Sequence, residues 1–171
     1  PRLLGRQLEF EPRRRQDAQF VFLLAQPRDA RLLRPLFRFH RAPQLPLYAT
    51  SHIYTGIPHP ERDRDMDGLK FCDIPFVLLD EPHGTLHEQI QQLWPESSQR
   101  YPRLYAFAHD ALNLVPYLTV SQSGDTGFYR GATGVLTLDA AGRLHRQLRW
   151  ARMEDGRPVV LETLASPAWM A

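Results

Sequence analysis

A single cysteine, Cys72, is present among the 171 residues, which excludes an internal disulfide and a zinc centre built from cysteines. Lysine is equally scarce: of 21 Lys and Arg residues only Lys70 is lysine, which reads as a coding bias. No apolar run comes near the ~20 residues of a membrane-spanning helix; residues 20–25 are typical of the short runs that occur. A formal charge of only +2 gives no general attraction to polyanions, so nucleic acid is not expected as a partner. The chain opens at Pro1 without a basic-then-apolar leader, and no signal peptide is expected within it. Against these absences stands an ordinary globular composition. With 43% apolar and 23% charged residues, the chain lacks the low hydrophobicity and charge excess that produce disorder. Its length suits one domain or a large part of a two-lobed one.

Residues 1–18 read as an irregular, arginine-rich entry, with one short extended stretch at 7–10. Residues 19–25 (QFVFLLA) are a continuous apolar run of β-formers, short enough for a strand buried on both faces. Gln26 and Pro27 stop it. Asp29 can then cap a helix whose apolar positions Leu32, Leu33, Leu36, Phe37 and His40 recur at helical spacing, with Pro35 bending it or delaying its start. Residues 47–50 (LYAT) give a second strand, so strand, helix and strand form a parallel βαβ unit with a right-handed crossover. A polar loop over 51–67 precedes a third extended segment, 69–79 (LKFCDIPFVLL), in which Pro75 marks a bend or an edge position. Residues 86–93 form a short helix closed by Trp94-Pro95. The strongest helix is 104–118, where Leu104, Phe107, Ala108, Ala111, Leu112, Val115 and Leu118 make one apolar stripe. After Gly124 the pattern turns to strands at 135–139, 144–152 and 158–164. Ala141-Gly142 and Asp155-Gly156 are the hairpin turns between them, so a β-meander follows the α/β portion.

Few residues assemble into a chemical motif. Asp63, Asp65, Asp67 and Gly68 open like a calcium loop, but the twelfth position is Ile74 where a bidentate Glu is needed. A solvated loop neutralised by Arg62 and Arg64 is the better reading. His83 and His87 are four apart, yet Glu88 does not lie between them and Gly84 interrupts, so no metal is expected. His52 and His59 share a loop with no third ligand nearby. Ser51-His52 follows a strand but lacks the G-x-S-x-G elbow, and Cys72 lies in an apolar strand where a thiol is inert. No phosphate-cradling glycine loop exists. His109 and Asp110 on the long helix suit a helix-surface or capping contact better than a catalytic dyad. The arginines at 13–15 and in the C-terminal strands are interleaved with acids and suit a solvated basic edge. One site has a physical rationale: in parallel α/β sheets ligands bind beyond the carboxyl ends of strands. Gln26 follows the first strand, and Ser51, His52 and Tyr54 follow the second; these are the candidate cleft or partner-contact residues.

Five segments then carry a resemblance: RRRQDAQFVFLLAQP (13–27), LPLYATSHIYTG (45–56), GLKFCDIPFVL (68–78), RLYAFAHDALNLVPYL (103–118) and GATGVLTLDAAGRLHRQLRWARMEDGRPV (131–159). In this order and spacing the chain resembles the C-terminal domain of the LppC lipoprotein family of penicillin-binding protein activators. The resemblance implies a type I periplasmic-binding-protein-like fold, with a Rossmann-like or flavodoxin-like lobe and a C-terminal antiparallel meander. Only part of that domain is expected here, over 19–171: mostly the second lobe, with helix 104–118 crossing to the first. It further implies a non-enzymatic outer-membrane lipoprotein facing the periplasm of a Gram-negative bacterium. The implied partner is a class A penicillin-binding protein, the bifunctional peptidoglycan synthase, with no cofactor or metal. Any membrane contact would run through a lipid anchor that this chain does not contain. Two other readings stay open: a solute-binding receptor using Gln26, Ser51, His52 and Tyr54, and a hydrolase using Ser51 and His52, which would need a buried acid and oxyanion donors.

Overall fold

Residues 17–79, 83–121 and 128–161 are described by the computed structural model; the stretch at 7–10 and the end of the last expected strand lie outside them. The first apolar run yields β1 (Val21–Leu23), Pro27 then begins α1 (Pro27–Phe39), and LYAT yields β2 (Leu47–Ala49). β1 and β2 pair in parallel, so the βαβ unit is present as expected. The polar loop contains a 3₁₀ turn at Ser51–Ile53, the single-turn helix α2 (Pro60–Asp63) and a second 3₁₀ turn at Arg64–Met66. β3 (Lys70–Asp73) pairs in parallel with β2, Ala49 beside Phe71.

From there the expectations need correction. The third segment does not stay extended: Pro75 opens a helical turn, α3 (Pro75–Leu78), which Leu79 ends in the left-handed conformation at φ 55°. Proline is pre-organised for a first helical position because its missing N–H has no helical partner there. The same residue type starts α1, α2, α5 (Pro95–Arg100) and α6 (Pro102–Ser121), so Trp94-Pro95 ends α4 (His83–Leu93) and begins another helix at once. α1 likewise starts at Pro27, ahead of Asp29, with Gln26 at its N-cap. Its inner face carries Ala30, Leu33, Arg34 and Phe37, whereas Leu32 and Leu36 are exposed.

The C-terminal strands are β4 (Phe128–Gly131), β5 (Gly134–Leu138), β6 (Leu144–Gln147), β7 (Arg149–Glu154) and β8 (Arg157–Val160). They do not form one meander. The expected strand 144–152 breaks at Leu148: β4-β5-β6 make a separate three-stranded sheet, while β7 and β8 join the main sheet in the order β1-β2-β3-β7-β8. β7 runs antiparallel to β3, Phe71 opposite Ala151.

One face of the five-stranded sheet forms the core. Leu47, Ala49, Phe71, Ala151 and Met153 are buried there beneath Ala30, Ile53 and Met66. The other face carries Tyr48 flanked edge-on by Phe20 at 6.0 Å and Trp150 at 5.9 Å, with the Lys70 ammonium 5.5 Å from the Tyr48 ring. β1 is therefore an edge strand covered on one side, not buried on both: Phe22 and Leu24 are exposed. Among the described residues no helix is long and apolar enough to cross a membrane.

Both residues of the β7–β8 turn, Asp155 and Gly156, have positive φ, as a two-residue hairpin requires. The Gly156 N–H donates to Asp67 Oδ1 at 2.9 Å, and a Cβ at Gly156 would run into the Pro60 backbone. Gly156→Ala is expected to destabilise the fold by about 2 kcal/mol or more, read as a lowered urea midpoint with an unchanged slope.

Candidate functional site at the strand ends

Beyond the carboxyl end of β2 the chain turns through Ser51–Ile53, and beyond β3 stands Asp73. Asp73 is buried, with 1% of its surface accessible. Its Oδ1 accepts from the Ile74 N–H at 2.8 Å and from Arg103 Nε at 3.2 Å, and Arg103 Nη2 pairs with Oδ2. The same Nη2 donates to the carbonyl of Tyr54 at 2.9 Å and lies 3.4 Å from that of Ser51; Nη1 reaches the Thr55 carbonyl at 3.5 Å. One guanidinium thus joins the start of α6 to the ends of β2 and β3. Burial pushes the Asp73 carboxyl above its usual range, and Arg103 acts against that shift.

The sequence-predicted residues take different places around this clamp. Gln26 and His52 are exposed, and Ser51 is half-buried with its carbonyl facing Arg103. His52 Nδ1 lies 3.3 Å from Thr50 Oγ1. Tyr54 is buried: its ring packs 5.8 Å from Phe71, its hydroxyl has no hydrogen-bond partner, and burial raises its pKa. Ser51, His52 and Tyr54 therefore share one turn, but only Ser51 and His52 present side chains toward solvent.

Arg103 and Asp73 were missed as site residues, although both break local rules. A cation in the first turn of a helix opposes the helix dipole, and Asp73 interrupts an apolar run. Each finds its compensation in the other. Asp110 is a third such residue and acts in a second buried contact. Its carboxylate accepts from the N–H of Ala132 and of Thr133, both at 2.7 Å, and from Thr133 Oγ1 at 2.6 Å. It holds the β4–β5 turn, with His109 Nδ1 3.3 Å away. A Cβ at Gly131 would collide with this carboxylate, which accounts for glycine there. Asp110 is therefore neither on the helix surface nor at a helix end: it is buried in mid-helix and its partners belong to the β4–β5 turn.

The remaining motifs resolve into scaffold. Asp63 pairs with Arg31 at 2.7 Å and accepts from the His59 N–H, Asp67 binds the Gly156 N–H, and Asp65 is exposed. The three carboxylates serve different neighbours, and no group of three metal-ligating side chains occurs among the described residues. Cys72 is half-buried with its thiol pKa raised by desolvation. A hollow of about 170 Å³ lies beside Gly56, Leu79, His87 and Gln91, below the ~300–1,000 Å³ of small-molecule sites.

A family profile described as "LppC putative lipoprotein" matches residues 1–156. The chain belongs to the LppC family. "Penicillin-binding protein activator LpoA" of Vibrio cholerae is 34% identical over 152 residues, covering 87% of this chain and 24% of that protein. The LpoA of Photobacterium profundum is 32% identical over 153 residues. This LppC chain thus spans about a quarter of the length of its curated relatives. Among solved structures, the LpoA C-domain from Haemophilus influenzae, "a regulator of PBP1A", superposes with TM-score 0.68 at 24% identity, over 87% of this chain and 46% of that one. A "putative branched-chain amino acid ABC transporter" from Rhodospirillum rubrum gives TM-score 0.59 at 21% identity, over 84% and 44%. The expected periplasmic-binding-protein-like α/β fold is therefore present.

Proposed function

We propose that this chain belongs to a non-enzymatic activator of peptidoglycan synthesis. In this reading a lipoprotein on the periplasmic side of the outer membrane binds a class A penicillin-binding protein and stimulates it. The observation that carries the reading is the Arg103 clamp. In a solute receptor the strand ends face a ligand, whereas here the carbonyls of Ser51 and Tyr54 and the carboxylate of Asp73 are bound by a side chain of the same molecule. The strand order β1-β2-β3-β7-β8 also contains no reversal among the described parallel strands, and it is at such reversals that a ligand crevice opens. A hydrolase finds no support either, because His52 Nδ1 meets Thr50 and, among the described residues, no hydrogen bond from a buried acid orients its ring.

Activation then works through population shift: the activator binds an active conformation of the synthase more tightly than the inactive one. The test is glycan polymerisation by a purified class A penicillin-binding protein from the same source, with and without the activator at the full length of its relatives. A several-fold rate increase that saturates with activator is expected. No stimulation, together with no binding, would overturn the reading. Thermal stabilisation of this chain by an amino acid or other small solute would favour the receptor instead.

A further inference from the structure

An aspartate followed by glycine is a chemically weak step in a polypeptide. Glycine has no Cβ to hinder its nitrogen, which can close on the side chain of the preceding aspartate. Closure forms a bond from the glycine nitrogen to the aspartate Cγ and releases one water, made from the carboxyl OH and the amide proton. Hydrolysis returns the water. When the bond to the original main-chain carbonyl is the one that breaks, the chain is left running through Cβ as isoaspartate, at unchanged mass. The sequence holds two such steps, Asp67-Gly68 and Asp155-Gly156, while its one asparagine, Asn113, is followed by leucine.

The fold brings the two steps together. The Gly68 N–H donates to the carbonyl of Met153 at 2.9 Å, and the Gly156 N–H donates to Asp67 Oδ1 at 2.9 Å. Each nitrogen that could attack its own neighbour is thus engaged by the other segment. Asp67 is fixed further along its main chain: its N–H donates to the Arg64 carbonyl at 3.2 Å, and its carbonyl accepts from Nε of the buried Arg34 at 3.0 Å. Asp155 has fewer restraints. Its side chain is exposed, its φ is positive at 49°, and the turn leads into β8, the edge strand of the described sheet. What holds this turn is Gly156, which is buried against the Pro60 backbone and tied to Asp67. These contacts lie wholly within the described residues, so anything further packed on this chain can only bury them more deeply.

We infer that Asp155 is a latent isomerisation site, held shut by the Asp67 carboxylate through the Gly156 N–H. An isoaspartate there would add a main-chain carbon to a two-residue turn and displace the donor that Asp67 binds. The test is incubation of the chain for several weeks in warm neutral buffer, followed by peptide mapping with an Asp-specific endoprotease, which does not cut at isoaspartate. In the folded chain, isoaspartate at Asp155 should form at least about ten-fold more slowly than in the chain unfolded in urea. Hydrogen exchange at the Gly156 N–H should be slowed to a similar degree, although the residue before it is exposed. Both readings are made on wild type alone and stand whether or not a variant folds. Asp67→Ala should raise the rate at Asp155 several-fold. Its comparison is wild type in enough urea to match the variant's unfolding free energy, which separates loss of this hydrogen bond from general destabilisation. Equal rates in that comparison, or a folded wild type that isomerises at Asp155 as fast as the unfolded chain, would overturn the inference.

Discussion

Asp110→Ala should lower the melting temperature of this chain by about 10 °C. Asp110 is only 2% exposed, and its carboxylate satisfies two backbone N–H groups and one hydroxyl in the β4–β5 turn. Alanine leaves all three donors in a dry site, and each unsatisfied buried group costs about 1–3 kcal/mol. Allowing for partial hydration, a loss of about 3–4 kcal/mol is expected, at about 2–4 °C per kcal/mol for a chain of this size. Ala132 is held from both sides, since its carbonyl also accepts from the Phe76 N–H at 3.1 Å. Release of the turn should therefore loosen α3 as well as the small sheet. Asn at this position should recover less than half the loss, because its amide nitrogen would confront a donor. Thr133→Val removes a single hydrogen bond and should cost about 1 kcal/mol. A change in melting temperature below about 3 °C for Asp110→Ala would show that the turn is held by other means.

Arg103→Met should cost about 2–4 kcal/mol at neutral pH. Removing one partner of a buried ion pair usually costs about 3–5 kcal/mol; the figure is reduced here because the Arg103 side chain is 37% exposed while Asp73 is 2%. The pH dependence gives a sharper test. Burial raises the Asp73 pKa, so the folded protein holds this proton more tightly than the unfolded chain does. For such a group the stabilising contribution is present at low pH and is lost as the pH rises through the folded pKa. Arg103 limits that loss by favouring the carboxylate, and without it the pKa rises further. The difference in unfolding free energy between wild type and Arg103→Met should therefore shrink as the pH falls from 7 toward the carboxylate range. A penalty that stays constant, or grows, on acidification would mean that Asp73 does not carry the clamp. The variant also tests the proposed function, because solute binding gained when the strand ends are freed would count against the activator reading.

The parallel βαβ start was legible because β-branched and aromatic runs end at Pro27 and resume after Pro46. α6 was legible from its stripe, although the stripe faces outward and the true inner face is the sparse series Ala106, Asp110, Leu114. A small residue, a carboxylate and one leucine make no hydrophobic pattern, so periodicity selected the opposite side. Proline was the main source of error. Read as punctuation, Pro75 suggested a bent strand and Pro95 a helix end, whereas both occupy first helical positions. The break at Leu148 left no trace, because the alternation of residues 144–152 continues across it while the strand passes from one sheet to the other. At the strand ends the turn of Ser51, His52 and Tyr54 was located correctly, but the residue that occupies it comes from a helix about 50 positions later. Only the misfit of an arginine beside a helix N-terminus hinted at that.

The lone lysine has a practical consequence. Lys70 is the first residue of β3, the middle strand of the five-stranded sheet, bonded to β2 on one side and β7 on the other. An endoprotease that cuts only after lysine has this one target in the whole chain. To reach it, the protease must wait until both neighbouring strands have separated, which amounts to opening the whole sheet. Cleavage into two pieces of roughly 70 and 100 residues, the size set by the position of Lys70, would then follow global unfolding and ignore fraying of the edges. Digestion under native conditions becomes a stability assay with a two-band readout, in which each substitution above can be ranked without a denaturant.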